Sequence, residues 1–142
     1  MSGFGIIFTP NEEEVLIVHS VGRINREIYK CITKDIVTEE VIITENQIKH
    51  IQDRHPDSFE KAIHNLERAL QEPDYIIEDK HKNTGLVIKE FQKEAGHTQI
   101  VLRVCTSEDE CGYKNSIISC WEISEKRLQN YLRNKRILYK RV

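Results

Sequence analysis

Four β-branched runs joined by short polar links dominate the second half of the chain and leave few folds open to it. They are "YIIED" (75–79), "TGLVIKEF" (84–91), "TQIVLRVCT" (98–106) and "NSIISCWEI" (115–123). Aliphatic and turn-bounded segments of this length read as strands. The links "KHKN", "QKEAGH" and "SEDECGYK" leave little room for a crossover helix, so neighbouring runs should pair antiparallel. The expected centre is an antiparallel meander across residues 75–123.

Helical signals precede it. Thr44 followed by Gln47 forms a capping box, in which hydroxyl and amide each satisfy an orphan backbone N–H. A helix is expected over 45–55, and Pro56 disfavours helical geometry at the residue before it. Ser58 is the expected cap of a second helix, 58–71. Its Phe59, Ala62, Ile63, Leu66, Ala69 and Leu70 form one apolar stripe for packing on the sheet. A last helix starts at the Ser124 cap and packs through Leu128, Tyr131 and Leu132. Near the N-terminus, "GFGIIF" and "EVLIVHSVGRI" read as strands joined by "TPNEE", and "REIYKCITKDIVTEEVIIT" as one or two further short strands. The fold class is therefore α+β, with N-terminal helices on a four-stranded or larger antiparallel meander sheet and a C-terminal helix. Residues 1–28 read as a hairpin-like extension and 29–142 as the main domain.

Composition works by exclusion. A chain of 142 residues is one domain by length. No run approaches the ~20 apolar residues of a membrane span, and "MSGFGIIFTPNEEE" lacks the features of a secretory signal. The expectation is a cytoplasmic protein without a membrane. Cys31, Cys105, Cys111 and Cys120 contain no CxxC pair, and neither HExxH nor a paired DxD occurs. No metal or other cofactor is expected, and the thiols should be reduced. The formal charge of −2 hides a basic tail, "SEKRLQNYLRNKRILYKRV" (124–142), in which Lys135, Arg136 and Lys140 suit a polyanionic partner.

The chemistry-bearing stretch is "HIQDRHP" (50–56). His50 and Arg54 are four apart and share a helix face; His55 lies at or beyond the helix end. An imidazole is the usual proton-transfer group near neutral pH. In the strands, Lys89 and Arg103 interrupt aliphatic runs. Strict alternation puts Ile100, Leu102 and Val104 on one face, with Val101, Arg103 and Cys105 on the other. It groups Ile117, Ser119 and Trp121 against Ser116, Ile118 and Cys120. An open sheet face presenting Lys89, Arg103 and either Ser116 or Ser119 beside a helical histidine can hold a phosphate; a half-solvated sheet with a polar outer face has the same pattern. His64 and His97 are expected away from it, His97 in solvent.

Taken in order, "ITENQIKHIQDRHP", "EPDYIIED", "NTGLVIKEF", "IVLRV", "NSIISCW" and "NKRILYK" resemble the phage-associated branch of the barnase–EndoU–colicin–RelE-like nuclease fold, from about Tyr29 to Tyr139. The resemblance implies a helical segment on a four-stranded antiparallel sheet. It also implies a metal-independent ribonuclease, often a toxin directed at tRNA or mRNA, which uses the RNA 2′-OH and leaves a 2′,3′-cyclic phosphate. Its pattern places His50 before Lys89 and Arg103, with Ser119 where many relatives have Thr. The catalytic set is then His50, His55, Lys89, Arg103 and Ser119, of which His50, Lys89, Arg103 and Ser119 are expected within about 10–12 Å of one another. Arg54, Ser116, Trp121, Lys135, Arg136 and Lys140 would bind substrate; Trp121 or Tyr113 would stack a base. RNA and an immunity or antitoxin protein are the implied partners. A domain that keeps the fold but only binds RNA or protein is the alternative, and a hydrolase of another type a third.

Overall fold

The computed structural model describes residues 3–8, 15–57, 59–90 and 96–142. The expected Ser58 cap, the "TPNEE" turn, Phe91 and most of the link after it lie outside these. In chain order the elements are β1 (Gly3–Phe8), β2 (Val15–Arg23), α1 (Arg26–Tyr29), β3 (Glu40–Thr44), α2 (Glu45–Arg54) and α3 (Phe59–Gln71). There follow β4 (Tyr75–Glu78), β5 (Thr84–Glu90), β6 (Gly96–Arg103), β7 (Asn115–Ser124), α4 (Glu125–Asn134) and β8 (Ile137–Lys140). The strands form one sheet in the order β1-β2-β3-β7-β6-β5-β4-β8.

The expected meander is present: β4, β5, β6 and β7 pair antiparallel in succession. The N-terminal strands belong to the same sheet, because β2 pairs with β3 and β3 runs parallel to the start of β7. Two readings change. "REIYK" is the α1 turn rather than a strand: the Asn25 side chain accepts from the Glu27 N–H. It is fixed by Tyr29, wholly buried with its hydroxyl donating to the Leu70 carbonyl at 2.7 Å. "ILYK" in the basic tail is a strand, β8, on the far edge beside β4. Lys135 and Arg136 thus sit in the α4–β8 connection, and Lys140 lies on an edge strand rather than on a helix face.

The sheet has two unequal sides. On the inner side α2 and α3 bring Ile48, Ile51, Ala62, Leu66 and Leu70 onto Val41, Ile43, Val87, Ile100, Leu102 and Ile117, with Phe59 and Ile63 partly buried beside them. Each large aliphatic sealed this way stabilises the fold by about 1.5–3 kcal/mol. On the outer side α4, capped by Ser124 accepting from the Arg127 N–H, lays Leu128, Tyr131 and Leu132 on Ile77, Leu86, Ile88 and Ile123. This helix covers β4, β5 and one end of β7. Among the described residues, no other helix contributes to this outer apolar cluster.

Candidate active-site groove

One extra residue in β7 decides what lies on that open face. Val101 is opposite Ser119 but Leu102 is opposite Ile117, so Ile118 has no partner and is bulged out, 40% exposed. A bulge restarts the alternation. Ile117 and Cys120 therefore both point inward into the core, while Ser116, Ser119 and Trp121 all point outward. Strict alternation had grouped Ser119 and Trp121 with Ile117, and had allowed only one of the two serines beside Arg103. The bulge puts both there, because Arg103 pairs with Ser116 and Val101 with Ser119.

Arg103 and Ser116 line a cavity of about 220 Å³ together with Thr44, Cys105, Tyr113 and Lys114, between β3, β7 and the 104–114 loop. Its walls are pinned by polar bonds. Asn115 is wholly buried; its side chain accepts from the Cys105 N–H at 2.8 Å and donates to the Thr38 carbonyl at 2.7 Å. Ser107 donates to Asp35 from both its N–H and its hydroxyl. The Arg103 guanidinium, 33% exposed, donates to Asp109 at 2.8 Å and to the Val104 carbonyl. A guanidinium has five N–H donors, so several remain for an anion. Burial pushes the Asp109 carboxyl up, but the Thr106 backbone N–H and the Arg103 charge outweigh it, and its pKa falls below the ordinary 3.8. Asp109 is therefore an ionised anchor for Arg103. Burial raises the Cys105 thiol, with Asp109 adding to the effect, which leaves a poor nucleophile.

From Arg103 the outer face runs past Ser119 to Trp121, whose Cα partner on β6 is Gln99. At ~3.3 Å per residue the distance from Arg103 to Gln99 is about 13 Å. His55 closes this end. Its ring stacks on the Trp121 indole with centroids 4.8 Å apart and planes at 15°. It follows the last turn of α2, where its N–H still bonds the Ile51 carbonyl. His50 is exposed one and a half turns earlier, and Arg54 is exposed beside it. Arg103, Ser116, Ser119 and Trp121 thus share the outer face, with His55 stacked on Trp121 at one end, while His50 and Arg54 are exposed on α2.

Lys89 does not belong to it. The β5–β6 register pairs Thr84 with Arg103 and Lys89 with Thr98. Five residues place Lys89 about 17 Å further along and on the opposite face. There it is 3% exposed and donates to the Glu72 carbonyl at 2.7 Å, with Asp74 at 3.6 Å. It caps the C-terminal end of α3, where a cation is favoured. The expected grouping of Lys89 with Arg103 is thereby overturned. Lys135, Arg136 and Lys140 are also remote, since β8 lies four strands from β7. Arg136 instead pairs with Glu78 and rims a second, polar cleft of about 500 Å³ with Lys80, His81 and Lys82. His64 is exposed as expected. His97 is not in solvent: it lies within β6, 12% exposed, bonded to Glu125.

Residues 17–140 match the family model described as phage-Barnase-EndoU-ColicinE5/D-RelE like nuclease 2. No curated protein and no solved structure matches the chain.

Proposed function

Because the chain belongs to the phage-Barnase-EndoU-ColicinE5/D-RelE like nuclease 2 family, we propose that the outer groove is the active site of a metal-independent RNA endonuclease. The observation that carries this reading is the shared face of Arg103, Ser116, Ser119 and Trp121, which the β7 bulge creates, with the His55 ring stacked on Trp121. The scissile phosphate lies against the free N–H groups of Arg103, with Ser116 and Ser119 donating to its oxygens. The RNA 2′-oxygen attacks phosphorus and passes its proton to one imidazole. The P–O5′ bond breaks, and the 5′-oxygen takes a proton from a second imidazolium. The products are a 2′,3′-cyclic phosphate and a 5′-hydroxyl.

His55 and His50 are the proton-transfer pair of this reading. Arg103 stabilises the charge that accumulates on the phosphorane, and Asp109 holds it in place so that little reorganisation is needed. Trp121 supplies a stacking surface for a base. RNA, including tRNA, is the proposed substrate, and an immunity or antitoxin protein that covers the groove is the proposed partner.

Total tRNA incubated with the protein in EDTA should be cleaved, and the DNA analogue should remain intact because it lacks the 2′-OH. Products should carry cyclic phosphate ends. Binding without cleavage, by wild type as by the histidine variants, would replace this reading with an RNA-binding domain of the same fold.

A further inference from the structure

The outer face also carries a polar side chain that the reaction above leaves unused. Gln99 lies on β6 directly across from Trp121 and is 1% exposed. Its Oε1 is buried without a hydrogen-bond partner. Two residues earlier on the same strand and face, His97 bonds Glu125 through Nε2 and leaves Nδ1 buried and unpaired. In the neutral imidazole that donates Nε2–H to this carboxylate, Nδ1 is the acceptor. A buried polar atom without a partner is destabilising, and native interiors keep few of them. Here two such atoms stand in one row on β6, across from Trp121 and Ile123.

The neighbouring aromatic stack supplies the second half of the observation. The His55 ring occupies the Trp121 surface in the near-parallel geometry that a nucleobase adopts on an indole. His55 is the residue just past α2, with φ −134° and ψ 56°, so its ring can leave the stack without unwinding the helix.

We propose that Trp121, Gln99 and His97 form a base-specificity subsite for a nucleobase whose Watson–Crick edge sets an exocyclic amine beside a ring-nitrogen acceptor, that is adenine or cytosine. The base takes the place of the His55 ring on Trp121. Its amine donates one N–H to Gln99 Oε1 and the other toward His97 Nδ1, while its ring nitrogen accepts from Gln99 Nε2. Uracil offers a single N–H flanked by carbonyl oxygens and cannot serve both acceptors. Displacement also frees the His55 imidazole for proton transfer, so recognition of the base assembles the catalytic pair. The subsite rests on the ribonuclease reading for its role but has its own readout.

Trp121 is the sole tryptophan of the chain, so its fluorescence reports the subsite directly in the intact protein. Titration with AMP, CMP, GMP and UMP should perturb it, with AMP or CMP binding about ten- to a hundred-fold more tightly than UMP, the scale of one good amide–base pair. Comparison of AMP with CMP identifies the base. Gln99→Met should abolish the preference and raise the melting temperature, because an apolar side chain of similar size replaces an unpaired amide. Equal binding of all four nucleotides, an unmoved fluorescence signal, or a Gln99→Met variant that melts lower would each overturn the subsite. Cleavage of tRNA without base preference would overturn the subsite alone. Amine-selective binding with no cleavage in EDTA would uphold the subsite and overturn the ribonuclease reading.

Discussion

The two faces of this sheet are built from the same strands and do opposite things. Toward α2 and α3, Ile100, Leu102, Val87 and Ile117 close an apolar core, and Lys89, a cation that points there, is paired with Glu72 and Asp74. Toward the outside, α4 stops short, and Arg103, Ser116, Ser119 and Trp121 remain within reach of a ligand. A basic residue in an aliphatic strand thus has two meanings, and the side it faces separates them. Lys89 is a helix cap. Arg103 is a candidate phosphate ligand, held by a carboxylate but not used up by it.

Substitutions on the two faces should therefore separate rate from stability. The largest effect is expected at the histidines: His55→Ala and His50→Ala should each slow RNA cleavage by about 10²–10⁴-fold. Exposed His50→Ala should leave the thermal midpoint unchanged. If single-turnover rates of both variants match wild type, neither imidazole moves the proton.

Next comes Arg103→Ala, expected to cost about 10²–10³-fold in rate, the scale of a lost charge-stabilising donor. The matching inner-face change, Lys89→Ala, should leave the rate per folded molecule intact. It should lower stability by about 1–3 kcal/mol in urea titrations, because the Glu72 carbonyl loses its donor. A Lys89 variant that folds normally yet fails to cleave would break the contrast between the faces.

A smaller effect is expected at low pH. The folded-state pKa of Asp109 is depressed, so its stabilisation is complete above the ordinary carboxylate value of 3.8. It is lost as pH falls through the lowered folded value. Asp109→Asn should remove that component and flatten the acid limb of a stability–pH curve below about 3.8. An unaltered acid limb would mean that the Arg103–Asp109 pair does not hold in solution. The smallest effect belongs to the far edge. Replacing Lys135, Arg136 and Lys140 by Ala should leave cleavage of a dinucleotide unaltered and reduce the salt slope of binding to longer RNA by about 0.7 per lost phosphate contact.

Much of this architecture was legible in the chain itself. Strand and helix periods and the Thr44 and Ser124 caps act within a few residues, so the meander, the helix pair and α4 follow from local chemistry. Fold class and nuclease kinship were readable for the same reason, as ordered local segments. Which side chains meet was not. The Ile118 bulge, the β5–β6 register that sends Lys89 to the inner face, and the stacking of His55 on Trp121 depend on partners distant in sequence. The pleat has a period of two, so one inserted residue or an odd offset in register exchanges the faces of everything beyond it. The residue types in the groove belong to the sequence; their convergence on one face belongs to the pairing of strands.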